Sequence, residues 1–259
     1  MRDTSITALF QDAHDDGTIG GDSLNLLATE DLNGQLQHAM GISVDEVTAA
    51  EVTLVTMEVD DSVSMEPMAQ DAREAQHLMV DALAGSKQSE GVLMATWTFE
   101  MAPVHGYQPL TNVSRLDDQS YKPWRGNTPL FDSTIRVLGG VLAKTQEFAG
   151  NGVPVRSVTV IVTDGANNAS RHTARDVATV VSDLERSEMH LVLFIGIDDG
   201  GYTDFRGVAK SMGIRDDRVM TIGNSPSELR RAVQVASQSA LQVSQATGTV
   251  SQVGFGAVS

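Results

Sequence analysis

Cysteine is absent from the chain, which excludes disulfide bonds and every metal site built on thiolates. Positive charge is scarce: 18 Lys and Arg stand against 34 Asp and Glu, and the net charge is −16. This balance disfavours non-specific binding to nucleic acid or anionic membranes. No uncharged apolar run approaches the ~20 residues that span a bilayer, and the first residues lack the apolar core of a signal peptide. We therefore expect a cytoplasmic protein with no membrane span and no nucleic-acid partner.

The acidic residues are concentrated at one end of the chain. Residues 1–50 carry nine carboxylates and a single base, Arg2, so this segment holds half of the net charge, −8. The pattern changes at about residue 51, and residues 247–259 form an uncharged tail of small residues. We expect an acidic N-terminal extension over 1–50, one domain over 51–246 and a C-terminal tail over 247–259.

The central region alternates between strand and helix patterns. Runs rich in Val, Ile, Leu and Thr predict strands near 52–59, 91–100, 156–163, 189–197 and 218–222. Helical patterns are found near 66–85, 129–149, 172–188, 203–212 and 225–245. In the acidic segment, Leu32, Leu36 and Met40 recur on one face and predict a short helix from Thr29. The alternation predicts an α/β fold, with a three-layer, doubly wound, mostly parallel sheet of Rossmann-like type.

Oxygen-bearing side chains follow the ends of the predicted strands. Asp60 ends the first strand and is followed by Ser62 and Ser64, Thr128 precedes a helix in "GNTPLF", and Asp164 ends "VTVIVTD". Because ligands bind outside the carboxyl ends of parallel strands, we expect these side chains to meet. Two carboxylates and three hydroxyls suit Mg²⁺, Mn²⁺ or Ca²⁺ better than zinc. The alternative, that the first loop merely caps a helix, explains one loop and not three.

At these residues the chain resembles the von Willebrand factor type A family. The stretch Asp60 to Met65 is similar to its D-x-S-x-S-M motif, and "GNTPL" and "VTDG" are similar to its second and third metal-site elements, in the same order. The resemblance covers roughly residues 50–246. It implies a metal-ion-dependent adhesion site in which Asp60, Ser62 and Ser64 are the first-loop ligands of a divalent ion and Thr128 is the second-loop ligand. Asp164 would act directly or through water. A carboxylate from a partner protein would then complete the metal shell.

The resemblance implies a binding function and a class of partner. We expect a Mg²⁺-dependent adaptor or scaffold, with Mn²⁺ or Ca²⁺ as the other candidate ions. The architecture is most similar to bacterial tellurium-resistance Y-type and stress-response members, and to partners of MoxR-type ATPases. Tyr121, Trp124 and Arg125 precede the second metal-site element, and aromatic and Arg residues are frequent at interfaces, so we expect them to contact the partner. Burial of Trp124 against the sheet edge is the alternative.

Two other functions stay open at this stage. The sequence contains no G-x-x-x-x-G-K-[ST], G-x-S-x-G or H-E-x-x-H motif, so an enzyme is not expected. A metal-dependent phosphohydrolase and a structural subunit of a homo-oligomeric assembly are the alternatives. Residues 12–23 also match part of an EF-hand loop, but His14 and Ser23 replace oxygen ligands, which favours an ordinary acidic turn.

Overall fold

The computed structural model describes residues 5–29, 33–99, 103–246, 250 and 253–255. Its strands are β1 Val52–Val59, β2 Val92–Thr98, β3 Pro103–Pro109, β4 Val155–Thr163, β5 His190–Ile197 and β6 Val219–Ile222. Its α-helices are α1 Ile6–Asp15, α2 Gly21–Thr29, α3 Asn33–Met40, α4 Ala69–Ala84, α5 Leu130–Gly150, α6 Ala174–Arg186, α7 Phe205–Ser211 and α8 Pro226–Gln245.

The strands form one sheet in the order β3-β2-β1-β4-β5-β6, parallel except for the β2–β3 pair. Strand β1 is buried along its whole length because it lies between β2 and β4. Side chains alternate between the two faces: Leu54 belongs to one hydrophobic cluster, and Val55 and Met57 belong to the other. The predicted three-layer, mostly parallel sheet is confirmed.

Helices cover both faces of the sheet. Helices α5, α6 and α7 contribute to the cluster on one face, and α4 and α8 contribute to the cluster on the other. Helix α8 begins as its sequence predicts, since the Ser225 hydroxyl accepts the Glu228 N–H and Pro226 occupies the first turn. Each of the two helical layers therefore buries the apolar side of its helices against an apolar face of the sheet.

Strand β3 is absent from the sequence-based prediction. Its sequence, "PVHGYQP", has a proline at each end and a glycine inside, and these residues disfavour strands. It forms at the sheet edge because β2 pairs with it and α3 packs closely over it. At Gly106 a Cβ atom would lie 2.3 Å from the carbonyl oxygen of His38, so this contact requires glycine. Tertiary packing thus overrides a poor local signal.

The acidic N-terminal residues pack on the α5 face of the domain. Leu9, Phe10 and Leu36 lie in the same hydrophobic cluster as α5 and α6. The buried carboxylate of Asp183 in α6 accepts hydrogen bonds from the Gly20 N–H and the Ser23 hydroxyl, both at 2.7 Å. The segment is distinct in composition but shares the core of the domain.

Residues 12–23 do not form an EF-hand loop. Residues 12–15 belong to the end of α1 and Ser23 belongs to α2, with a turn at Gly17 between the two helices. This agrees with the acidic turn predicted there. The first residues of the helix predicted from Thr29 fall partly outside the described residues, and α3 begins at Asn33.

Part of the C-terminal tail lies against the body. Val250 is buried, and its N–H donates to the carbonyl oxygen of Glu188 at 2.8 Å. Most of the tail predicted over 247–259 lies outside the described residues. Among the helices that are described, none has both the length and the apolar character required to cross a membrane.

Candidate metal centre

Asp60 is held at the carboxyl end of β1 by bonds to each of its polar groups. Its N–H donates to Val162 at 2.9 Å, which extends the β1–β4 ladder by one residue. Carboxylate Oδ1 accepts the Ser62 N–H at 2.8 Å, and Oδ2 accepts the Thr163 hydroxyl at 2.6 Å. The hydroxyl of Tyr121 donates to the Asp60 carbonyl oxygen at 2.6 Å. The carboxylate therefore has a fixed orientation at the rim of the sheet.

The two serines connect the first loop to the third. The hydroxyls of Ser62 and Ser64 are 2.9 Å apart, and the Ser64 hydroxyl donates to Oδ1 of Asp164 at 2.7 Å. Neither the turn that begins after Ser62 nor α4, which begins after Met68, has a side-chain cap. The capping alternative for this loop is therefore wrong, and the serine hydroxyls face the carboxylate of a different strand.

Thr128 reaches the same place from the second loop. A Cβ atom at Gly165 would lie 3.4 Å from Thr128 Oγ1 and 3.9 Å from Asp60 Oδ2, so this glycine occupies the space between the two side chains. The Asn168 side chain accepts the Thr128 N–H at 2.7 Å, and the Asn168 N–H donates to the Thr128 carbonyl at 3.1 Å. The structure thus brings together all five residues that the sequence assigns to the site.

Negative charge accumulates at this rim with little exposure to water. Asp60 is fully buried and Asp164 is 8% exposed. Burial raises the pKa of the Asp60 carboxyl, although hydrogen bonds from Thr163 and Ser62 partly offset this effect. Burial also raises the pKa of Asp164 to about 6, and the nearby negative charge of Asp60 adds to the increase. A bound cation would stabilise both carboxylates in their charged forms.

The donor set fits a hard divalent cation. Two carboxylates and three hydroxyls from three separate loops supply oxygen only, which Mg²⁺, Mn²⁺ and Ca²⁺ prefer. The described residues contain no group of three or more His, Asp and Glu side chains placed to hold a metal. A metal at this rim would therefore depend on the hydroxyls of Ser62, Ser64 and Thr128 as well as on the two aspartates.

Tyr121 is buried, so the structure does not place it on the surface where the sequence analysis expects a partner contact. It is 1% exposed, and its hydroxyl is bonded to the backbone beneath the candidate site. Sequence reasoning also missed Thr163 and Asn168, which fix Asp60 and Thr128. Thr163 could have been noticed because it precedes Asp164 directly. Asn168 could not, because its partner is 40 residues away in the chain.

Trp124 and Arg125 lie at the surface beside the first loop. Trp124 is 63% exposed, so the alternative that it buries against the sheet edge is wrong. The Arg125 guanidinium lies 5.2 Å from the centre of the Trp124 ring, and its Nε is 3.9 Å from Oδ2 of Asp61. Backbone bonds from Trp124 to Asp61 and from Val63 to Arg125 join this loop to the site. An exposed aromatic side chain thus stands next to the candidate metal position.

Glu58 lies two residues before Asp60 on the α5 face of β1. It is fully buried, and burial raises the pKa of its carboxyl to about 8. The Thr134 hydroxyl donates to one carboxylate oxygen at 3.4 Å, and the positive charge of Arg136 lowers the pKa in part. Glu58 is therefore a hydrogen-bonded structural carboxyl beneath the site.

No protein-family model matches the chain, and no curated protein matches it significantly. Solved structures do match. The pilus adhesin SpaC from Lactobacillus rhamnosus GG matches with a TM-score of 0.56 at 13% identity, over 76% of this chain and 31% of its own. The vWF domain of the type V pili tip protein Mfa5 from Porphyromonas gingivalis matches with a TM-score of 0.53 at 13% identity. This match covers 78% of this chain and 98% of the Mfa5 domain. Proximal thread matrix protein 1 from the mussel byssus matches with a TM-score of 0.50 at 18% identity. This match covers 75% of this chain and 47% of the byssus protein.

These likenesses concern the fold. The chain spans about a third of SpaC and about half of the byssus protein, whereas it covers nearly all of the Mfa5 domain. The match to an isolated vWF domain shows the fold: the chain has the fold of a von Willebrand factor type A domain.

Proposed function

We propose that this protein is a divalent-metal-dependent protein-binding module, an adaptor or scaffold rather than an enzyme. The observation that supports it best is the 2.7 Å hydrogen bond between Ser64 and Asp164, which lie 100 residues apart in the chain. This bond joins the first and third loops beside the two buried carboxylates, Asp60 and Asp164. Bound Mg²⁺, Mn²⁺ or Ca²⁺ would supply a Lewis-acidic centre for an incoming oxygen ligand.

The group that would complete the metal shell is a carboxylate from a partner protein. Asp60, Ser62, Ser64, Thr128 and Asp164 would hold the ion from the side of the sheet. The remaining side of the ion would face solvent, where Ser64 is exposed. An Asp or Glu of the partner is the hard anionic ligand that such an ion accepts.

Trp124 and Arg125 supply the neighbouring contact surface. Tryptophan and arginine are enriched among the residues that dominate interface energies. The stacked pair sits on the loop bonded to residues 61 and 63, so a partner anchored at the ion would lie against it. The ion would provide the anchor, and Trp124 would contribute to the choice of partner.

Chelation and substitution together test this proposal. Proteins captured by the wild-type chain in Mg²⁺ should be lost in EDTA, and also in Asp60→Ala and Thr128→Ala. Asp118→Ala removes an exposed aspartate from a nearby loop and should capture the same proteins as wild type. Trp124→Ala should weaken capture while divalent-ion binding is kept. Equal capture with and without EDTA would overturn the proposal.

We also propose a subfamily, a compartment and a class of partner for the chain. It would belong with the cytoplasmic, bacterial, tellurium-resistance Y-like proteins that act with MoxR-type ATPases or other stress-response partners. Its support is the architecture of an acidic N-terminal segment joined to a type A domain. No observation on the described residues favours a phosphohydrolase or a homo-oligomeric structural subunit over the binding module.

A further inference from the structure

Exposed apolar side chains are concentrated around the candidate metal centre. Among the described residues, four large apolar side chains are exposed, namely Val63, Leu78, Trp124 and Tyr202. Val63, Trp124 and Tyr202 lie on loops at the carboxyl end of the sheet, whereas Leu78 lies in the second half of α4. Apolar side chains exposed singly are ordinary on a soluble protein, whereas a concentration of them at one rim marks a contact surface.

Val63 and Trp124 form one side of this surface. The Val63 N–H donates to the Arg125 carbonyl oxygen at 2.6 Å, and the Trp124 N–H donates to the Asp61 carbonyl oxygen at 3.1 Å. The two segments therefore pair as a short parallel bridge. Val63 is 49% exposed and stands between the two serines of the site in the chain. The paired backbones thus hold both apolar residues beside the first loop of the metal centre.

Tyr202 lies on the other side, in the loop after β5. Strand β5 neighbours β4, and Asp164 follows the end of β4. Burial is the main cause that raises the pKa of Asp164, and the nearby negative charge of Asp199 adds to it, so the β5 loop lies close to the site. Asp199 accepts the N–H groups of Tyr202 and Thr203 at 2.9 and 3.0 Å. These bonds fix the backbone of the loop while the Tyr202 side chain is presented to solvent.

The charges around this rim favour one incoming carboxylate and disfavour a second. A divalent ion would balance the two aspartates of the site, and Arg125 lies 3.9 Å from Asp61 and offsets that carboxylate. Glu66, Asp198 and Asp199 add three negative charges around the ion position. The loop before α5 adds two acids and one base, Asp117, Asp118 and Lys122. A partner that presents several carboxylates together would therefore be repelled, whereas a single carboxylate with uncharged neighbours would not.

We propose that the metal centre selects a protein segment in which a single Glu or Asp lies between apolar residues. The carboxylate of that segment would bind the ion. The apolar residues on one side of it would contact Val63 and Trp124, and those on the other side would contact Tyr202. This inference rests on the proposed function and specifies its partner, because an acidic tail or a cluster of carboxylates would not fit this rim.

The test is a peptide selection on the full chain in Mg²⁺. The probe is a displayed peptide library with a fixed central Glu and three random positions on each side, and bound peptides are eluted with EDTA. Leu, Ile, Val and Phe should be enriched on both sides of the Glu, and Asp and Glu should be depleted there. Enrichment of further acidic residues, or of apolar residues on one side only, would overturn the proposal.

Substitutions of the exposed side chains connect this preference to the surface. Trp124→Ala and Tyr202→Ala should each weaken the binding of a selected peptide at least about fivefold, because each removes a large apolar contact. Val63→Ser should weaken it about threefold, since the side chain is smaller. Leu78→Ser changes the exposed apolar residue that lies apart from the site and should leave the affinity unchanged. All four variants should bind Mn²⁺ as the wild type does. Equal peptide affinity in Tyr202→Ala and Leu78→Ser would refute the two-sided surface.

Tryptophan fluorescence gives a readout on the protein itself. Trp97 is 1% exposed and Trp124 is 63% exposed, so acrylamide quenches mainly Trp124. A selected peptide should protect Trp124 from acrylamide in Mg²⁺, and the same peptide with Gln in place of its central Glu should not. Unchanged quenching with the selected peptide bound would place the indole outside the contact and overturn the proposal.

The outcomes distinguish this inference from the proposed function on which it rests. Absence of saturable Mn²⁺ binding, or peptide binding that EDTA does not reverse, would refute both. Saturable Mn²⁺ binding without any enriched peptide, or with enriched acidic peptides, would keep the metal centre and refute the selection of an acid between apolar residues.

Discussion

The hydrogen bond from the Tyr121 hydroxyl to the Asp60 carbonyl oxygen indicates that Tyr121 supports the loop of the candidate metal site. Removing this hydroxyl tests that role against a role in contacting a partner. Tyr121→Phe keeps the buried ring and removes the hydroxyl, whose oxygen lies 2.6 Å from the carbonyl oxygen. Loss of a buried hydrogen bond that leaves a carbonyl unsatisfied costs about 1–2 kcal/mol. For a domain of this size, each kcal/mol lowers the thermal midpoint by about 2–4 °C. We therefore expect a decrease of about 2–8 °C in Tyr121→Phe.

The control is another tyrosine on a loop after a strand. Tyr202 is 91% exposed, so Tyr202→Phe should change the midpoint by less than about 1 °C, as surface substitutions usually do. Thermal unfolding followed by circular dichroism measures both variants. If Tyr121→Phe melts with the wild type but captures less partner, Tyr121 is a contact residue as first predicted, and the role derived from its burial is refuted.

Other predictions concern folding and pH. Burial lowers the pKa of His190 from 6.5 to about 4. Between pH 4 and pH 6.5 this histidine therefore binds a proton more readily in the unfolded chain than in the folded chain. Stability should therefore fall by up to about 3 kcal/mol as pH decreases from 6.5 to 4, and His190→Gln should flatten this dependence. Urea midpoints at pH 7 and 4.5 measure it, and parallel curves for the two proteins would contradict it. Gly196→Ala should destabilise the fold by at least about 2 kcal/mol, because its Cβ would lie 2.4 Å from Cγ of Phe205. Gly126→Ala, with no atom within 4 Å of the added Cβ, should be neutral in the same unfolding assay.

Much of the sheet is predictable from sequence because its central strands are buried on both faces. The segment "VTVIVT" is apolar enough to be recognised without knowledge of its neighbours. Strand β3 is the exception, since its glycine is selected by a close approach to α3 and not by strand propensity. Helix α1 was also missed, although Ile6, Leu9, Phe10 and Ala13 recur at helical spacing and are all buried. Only one acidic residue, Asp12, lies among these four, so the helical spacing could be recognised from the sequence.

The candidate site was predictable where its residues follow strand ends. Asp60 and Asp164 lie at the carboxyl ends of neighbouring parallel strands, so the topology alone brings them together. The orientation of side chains in the long loop before α5 was not predictable. Tyr121 and Trp124 are both aromatic and lie three residues apart in the chain. Tyr121 is buried beneath the site, whereas Trp124 is exposed beside it. That difference depends on which backbone atoms the loop bonds to.

The central claim is that five oxygen-bearing side chains bind one divalent ion, and manganese binding tests it most directly. Titration of the chain with Mn²⁺, followed by electron paramagnetic resonance of the free ion, gives the stoichiometry and affinity. We predict one bound ion per chain in the wild type and in Asp118→Asn, and at least about a tenfold loss of affinity in Asp60→Asn and in Thr128→Val. Absence of saturable Mn²⁺ binding in the wild type, or equal affinity in all four proteins, would contradict the claim.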